Sequence, residues 1–195
     1  VTIPAFESYV FKLDTIAPTV SSTTPADNAN TIAVNLAVTA TLSDYLENST
    51  VNSTNFFLKD NSNNLIASTV TYSNKTATLT PSSNLSEKIT YIATLKTGIT
   101  DLAGNALGSD YSWRFTTGDF TAPIVEQVTA VTTFTNDTTP SYTFSSTEFG
   151  TITYGGSCSS STTTASSGDN TIDFSSLSDG TYNCTIMVTD SSGNA

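Results

Sequence analysis

The sequence predicts an all-β chain folded as two β-sandwich domains in tandem, the second lacking its last strand. Three observations carry that expectation. Short runs alternate apolar and polar residues with a period of two, as half-buried strands do. Thr, Ser and Asn dominate a chain that is 37% hydrophobic and 12% charged, so no long amphipathic helix can be drawn. A length of 195 residues divides naturally into two sandwiches of roughly 100 residues or fewer.

Repeated strings mark the domain limits. Asp14–Pro18 reads DTIAP and Asp119–Pro123 reads DFTAP, each followed by an extended start. Proline fixes its own φ and biases the residue before it towards extended backbone, so Ala-Pro makes a stiff lead into a first strand. A second pair, DLAGNA at Asp101–Ala106 and DSSGNA at Asp190–Ala195, has turn chemistry: Asp hydrogen-bonds nearby backbone while Gly and Asn tolerate positive φ. The domains expected from these marks are residues 14–118 and 119–195, preceded by a segment 1–13.

Each strand is then placed by its alternation. In the first domain Val38, Ala40 and Leu42 form one face, Ile89, Tyr91, Ala93 and Leu95 a second, and Tyr111, Trp113 and Phe115 the last. Phe56–Lys59, Ile66–Tyr72 and Ala77–Leu79 complete a set of about seven, the number expected of such a sandwich. Trp113 belongs to the core on this alternation, rather than to a sugar-stacking platform. In the second domain the runs are Ile124–Val128, Tyr142–Phe144, Ile152–Tyr154, Ile172–Phe174 and Tyr182–Val188. That set is one strand short.

The two ends of the sequence match the two halves of one pattern. DLAGNA is followed by the strand Tyr111–Thr117 and then by the linker Asp119, whereas DSSGNA is the end of the sequence. Residues 1–13 carry VTIPAF and YVFKL and lead into the linker Asp14. Val1–Phe6 or Tyr9–Leu13 is therefore expected to close the second domain of a neighbouring unit, by adding a strand to an exposed edge. Val1, Ile3, Phe6, Val10, Phe11 and Leu13 would donate apolar contacts, and Tyr142, Phe144, Tyr182, Ile186 and Val188 would line the accepting core. Donor and acceptor at opposite ends give a head-to-tail polymer of the chain with itself. One period of a long covalent tandem repeat is the equivalent arrangement.

At DTIAPTVSSTTPADNANTIAVNLAVTATLSD and TGITDLAGNALGSDYSWRFTTG, the first domain resembles the bacterial immunoglobulin-like domains of S-layer and other surface proteins. The second, from TAPIVEQVTAV to DGTYNCTIMVTDSSGNA, resembles an immunoglobulin-like class found in tandem in large repetitive adhesins, its cysteine pair included. The resemblance implies two immunoglobulin-like sandwiches with a spacer, adhesive or lattice role at the cell surface. It also implies calcium at domain junctions, since tandem adhesin domains of this kind are often stiffened by that ion.

Charge and residue types narrow the function. A net charge of −11 opposes nucleic acid and anionic membrane as partners. No apolar run approaches 18 residues and no basic-then-apolar leader is visible, so a secreted mature chain or a slice of one is expected, without a membrane span. The chain has no histidine, which removes the usual base of triads and the commonest transition-metal ligand. Acid pairs such as Asp44 and Glu47 remain for acid–base chemistry, but nothing places them in a cleft, and the chain is not expected to be an enzyme.

The metal set implied is one of hard oxygen donors: Asp101, Asn105 and Asp119 at one junction, Asp190 and Asn194 with Asp14 of the next unit at the other. The alternative is that these residues serve turns only. Cys158 and Cys184 are expected to form a disulfide in an oxidising compartment, the alternative being two buried thiols. Asn48, Asn52, Asn74, Asn84, Asn136 and Asn183 stand in Asn-x-Ser/Thr sequons open to glycosylation. The leading function is a structural subunit or repeat of an extracellular fibre, pilus-like filament or adhesin stalk. A carbohydrate-binding or adhesin module with a glycan or cell-surface partner is the alternative.

Overall fold

The structure, a computed structural model, describes residues 13–195. Among the described residues helix is limited to one 3-10 turn, Asn48–Thr50, where the Glu47 side chain accepts from the Ser49 N–H. Everything else regular is strand, and the chain divides after Gly118 into two compact units.

Unit 1 contains eight strands among the described residues: β1 (Val20–Thr24), β2 (Ala29–Ile32), β3 (Val38–Leu42), β4 (Phe56–Asp60), β5 (Ser68–Ser73), β6 (Thr76–Pro81), β7 (Thr90–Leu95) and β8 (Tyr111–Thr117). They form two four-stranded sheets, ordered β1-β3-β6-β5 and β2-β8-β7-β4. The sheets meet through alternate residues, as the period of two requires. Val38, Ala40 and Leu42 of β3 and Ala77 and Leu79 of β6 are buried with Phe56 and Leu58 of β4, Tyr91, Ala93 and Leu95 of β7, and Trp113 and Phe115 of β8. Trp113 lies in this core, 5.9 Å from the Phe56 ring centroid.

The strands β1 and β2 carried no separate alternation in the sequence. They are short and mostly polar, VSSTT and ANTI, and exist because each has a partner: β1 runs antiparallel to β3, while β2 pairs in parallel with β8. The closing strand β8 is thus held on both edges, by β7 antiparallel and by β2 parallel. On its outer face the Thr94 and Ser112 hydroxyls bond across the β7–β8 pair at 2.8 Å.

Unit 2 contains six: β9 (Val125–Thr129), β10 (Ser141–Ser146), β11 (Gly150–Gly156), β12 (Thr164–Ala165), β13 (Gly168–Asp173) and β14 (Cys184–Thr189). Two three-stranded sheets result, β13-β10-β9 and β12-β11-β14. Their core is small: Phe144, Ile152, Cys158, Ala165, Ile172, Phe174 and Val188. Tyr182 lies outside β14, in the stretch leading into it, and β12 is a two-residue strand without a sequence signal.

Cys158 and Cys184 are joined in a disulfide, with their Cα atoms 5.4 Å apart. The sheet register makes this natural. Gly156 pairs with Cys184 across β11 and β14, so the chain two residues beyond Gly156 lies beside the start of β14. Gly156 itself has φ of 76°, and a Cβ there would lie 2.0 Å from the Asn183 carbonyl oxygen, so only glycine fits this approach.

Candidate functional site

Two features stand out once the strands are in place: a carboxylate cluster repeated in each unit, and an unpaired edge in unit 2. Each cluster is built on the turn that follows the strand pair β7 or β14. In unit 1 Asp101 is 2% exposed, and its Oδ1 accepts from the Ala103 and Asn105 N–H groups at 2.8 Å each. Its Oδ2 accepts from Asn105 Nδ2 at 2.8 Å, and Asn105 Nδ2 also donates to the Asp14 carbonyl oxygen at 3.2 Å. In unit 2 the same bonds recur. Asp190 Oδ1 accepts from Ser192 N at 2.8 Å and Asn194 N at 2.9 Å, while Asp190 Oδ2 accepts from Asn194 Nδ2 at 2.8 Å. Asn194 Nδ2 donates to the Asp119 carbonyl oxygen at 3.3 Å. Gly104 and Gly193 supply the left-handed backbone each turn needs, with φ of 90° and 91°.

The sequence expectation grouped Asp119 with Asp101 and Asn105, and Asp14 with the turn of another unit. The structure groups them differently. Asp14 stands beside Asp101 and Asn105 within unit 1, and Asp119 beside Asp190 and Asn194 within unit 2. The reason is the antiparallel layout: the lead into β1 and the turn after β7 lie at the same end of one sandwich. Ser43 and Thr19 tie that lead to the end of β3, through Ser43 N to Thr19 O at 2.8 Å and Thr19 N to Ser43 Oγ at 2.9 Å. Thr147 and Ile124 repeat both bonds in unit 2, at 3.1 and 2.9 Å.

A third carboxylate joins each group from that strand end. Carboxylate oxygens of Asp14, Asp44 and Asp101 lie within 4.8 Å of one another, as do those of Asp119, Glu148 and Asp190. The sequence groups Asp44 with Glu47 as an acid pair and gives Glu148 no role. Glu47 instead caps the 3-10 turn, taking both the N–H and the hydroxyl of Ser49. The signal available was the match of Ser43-Asp44-Tyr45 to Thr147-Glu148-Phe149, a hydroxyl, an acid and an aromatic at the end of β3 and β10.

Burial of Asp101 works to raise its pKa, but the bonds from the Asn105 side chain and backbone and from Ala103 and Gly104 outweigh it and hold the carboxyl below its ordinary value. Asp190 is held low in the same way, burial being opposed by Asn194, Ser192 and Gly193. A depressed folded-state pKa contributes stability that is present above the unfolded value and is lost as pH falls through the folded one. Hard oxygen ligands in threes suit a cation such as calcium. The fit rests on the carboxylates, because Asn105 and Asn194 turn their amide N–H groups, not their oxygens, towards Asp101 and Asp190.

The unpaired edge is that of β14. It bonds to β11 alone among the described residues, whereas β7, which likewise precedes an Asp-x-x-Gly-Asn turn, bonds to β4 and β8. Of the residues expected to line an accepting core, Phe144 and Val188 are buried, and Tyr142, Tyr182 and Ile186 are half-buried. Of the donor residues, Val1, Ile3, Phe6, Val10 and Phe11 lie outside the described residues, and Leu13 is 82% exposed. All six sequon asparagines are exposed. Asn52 differs in that its Nδ2 donates to the Ser49 carbonyl at 3.0 Å.

A family model described as bacterial Ig-like domain matches residues 14–117. No curated protein is significantly similar in sequence. Among solved structures, the chain is similar to CopC from Methylosinus trichosporium OB3b, at 12% identity over 52% of this chain and 93% of that one, with a TM-score of 0.44. It is similar to the N-terminal part of the bacterial S-layer protein SbsC at 18% identity, over 89% of this chain and 44% of that one, with a TM-score of 0.42. Native α2-macroglobulin of E. coli is matched at 16% identity over 70% of this chain and 8% of that one, with a TM-score of 0.41. No described helix is long and apolar enough to cross a membrane.

Proposed function

The chain belongs to the bacterial Ig-like domain family, and on that premise we propose that it is a non-catalytic structural repeat of an extracellular, cell-surface fibre or stalk. Both units are immunoglobulin-like sandwiches in this reading, and unit 2 is completed by a strand from residues 1–13 of a further copy. The observation that carries it is the edge of β14, which among the described residues has one partner where β7 has two. An apolar strand, CTIMVT, with no charge or proline to blunt its free edge, invites another strand. The donor belongs to a separate chain or to another repeat of one polypeptide, and mass measurement after strong denaturation separates these two sources.

The carboxylate clusters fit the same role. Each lies at the end of its unit where the linker aspartate leads in, and calcium there would tie the linker to the turn and to the end of β3 or β10. Glycans on the exposed sequons suit an extracellular setting equally.

Deleting Val1–Leu13 tests the central claim. Unit 1 should remain folded, with the fluorescence of Trp113 unchanged, while head-to-tail polymers disappear and the free edge of β14 leads to monomers or disordered aggregates. Normal polymers from the deleted chain, seen by light scattering and electron microscopy, would overturn it.

A further inference from the structure

Resting on the strand-completion reading, we infer that the completing strand is Tyr9–Leu13 of a further copy, antiparallel to β14, with Phe11 opposite Ile186 and Val10 opposite Met187. Unit 1 shows what closes such a sheet. In β8 the side chains of Trp113 and Phe115 point into the core and Tyr111 is 39% exposed at the rim, while Ser112 and Arg114 point outward. The order is tyrosine, any residue, aromatic, basic, apolar. Tyr9-Val10-Phe11-Lys12-Leu13 repeats it position by position. Val1–Phe6, the other candidate, does not repeat the order of β8 and carries Pro4 in its middle, which has no N–H to offer β14.

The register follows from the neighbouring pair. On β4 and β7, Phe56, Leu58 and Asp60 face Leu95, Ala93 and Tyr91. On β11 and β14, Ile152, Tyr154 and Gly156 face Val188, Ile186 and Cys184. Aligning the two pairs at Phe56 and Ile152 puts Val188, Ile186 and Cys184 in the places of Leu95, Ala93 and Tyr91, which in unit 1 lie opposite Tyr111, Trp113 and Phe115. Transferring that register sets Tyr9 opposite Val188, Phe11 opposite Ile186 and Leu13 opposite Cys184. Burial agrees with the slot so defined: Val188 is already covered, and Ile186 and Cys184 are only half-buried.

The outer face supplies an independent match. In unit 1 the outward pair at this level is Thr94 with Ser112, joined by their hydroxyls. In unit 2 the corresponding residue of β14 is Met187, which points outward, is 48% exposed and sits between Thr185 and Thr189. In this register its partner is Val10. A polar pair in one unit is thus replaced on both sides by an apolar pair in the other, which is how cross-strand neighbours stabilise a sheet. Charge fits as well: Lys12 faces outward over a unit whose residues, 119–195, include acids such as Glu126 and Asp173 but no lysine or arginine. Five residues span about 17 Å, close to the length of β14, and the first four of them precede the first described residue, Leu13.

Paired cysteines in the full 195-residue chain test this. The variant Val10→Cys with Met187→Cys, oxidised after assembly, is expected to give an open ladder of covalent multimers on denaturing, non-reducing gels, because each copy is donor and acceptor at once. Either single variant should give dimers at most. Two further pairs fix the outcome: Lys12→Cys with Met187→Cys probes a shifted register, and Ala5→Cys with Met187→Cys probes the upstream segment. A ladder from either of these but not from the Val10 pair overturns the register or the segment and leaves strand completion standing. No ladder from any pair overturns strand completion itself. A cross-linked species of monomer size overturns a second copy as the source.

Discussion

Replacing Cys158 and Cys184 together by alanine is expected to destabilise unit 2 by about 3 kcal/mol and to leave unit 1 unchanged, since the bond closes a loop of sequence separation 26. The loss is large relative to the unit that bears it. Small domains bury too little apolar surface to hold a wide margin of stability, and unit 2 has the smaller of the two cores, built around Phe144, Ile172, Phe174 and Val188. The bond also fixes structure that little else holds. Cys158 is buried within the otherwise polar stretch Ser157–Thr163, and Cys184 opens β14, whose other edge is unpaired among the described residues. The two units can be followed separately, because Trp113, in unit 1, is the chain's one tryptophan. Urea unfolding followed by tryptophan fluorescence should be unaltered, while far-ultraviolet circular dichroism shows a transition moved to lower urea. Reduction of the native chain should do the same. An unmoved second transition would show that the disulfide does not stabilise unit 2.

What the sequence made legible was whatever announces itself along the chain. Strands β3 and β8 alternate strictly because one of their faces is core, β7 does so but for the outward Ile92, and their inward residues follow from that pattern. The turns around Gly104 and Gly193 were equally readable, since only a few residues adopt their backbone. Strands β1, β2 and β12 were not. Their residues are small and polar, and they become strands because neighbours hydrogen-bond to them, which is a fact of topology rather than of local pattern. The carboxylate clusters show the same division. Asp101 and Asn105 belong to one turn and could be grouped by spacing, but their third member, Asp44, comes from the end of β3, more than fifty residues earlier. The contacts of the linker aspartates within their own units, Asp14 with Asn105 and Asp119 with Asn194, are hidden for the same reason: residues adjacent to a domain boundary can serve the domain before or after it, and the layout of the strands decides which end of the sandwich they reach.

Calcium is expected to raise the thermal stability of both units, and Asp101→Asn and Asp190→Asn are each expected to abolish the gain in one unit alone. A ligand that binds only the folded state stabilises by mass action, so the melting temperature should climb with calcium concentration and fall back on chelation. The substitution is chosen to keep the shape while removing the charge. Asparagine can present its carbonyl oxygen to two of the three donors that Asp101 serves, the Ala103 and Asn105 N–H groups, but it cannot also accept from Asn105 Nδ2 without turning its own amide towards that donor. Part of the loss in the variants therefore appears without calcium, and the calcium-dependent part is the difference between the two titrations. Acid supplies a second readout. Because Asp101 and Asp190 have folded pKa values below the ordinary one, their contribution is complete above about pH 5 and is lost as pH falls through and below about 4. Bound calcium must compete with the same protons, so the calcium-loaded chain should hold its stability to lower pH than the calcium-free one, and the two curves should converge once the carboxylates are protonated. If the melting temperature ignores calcium at neutral pH in the native chain, the clusters are turn-forming devices only: Asp101 and Asp190 then serve the backbone of their own loops, and the acid dependence remains without its metal counterpart.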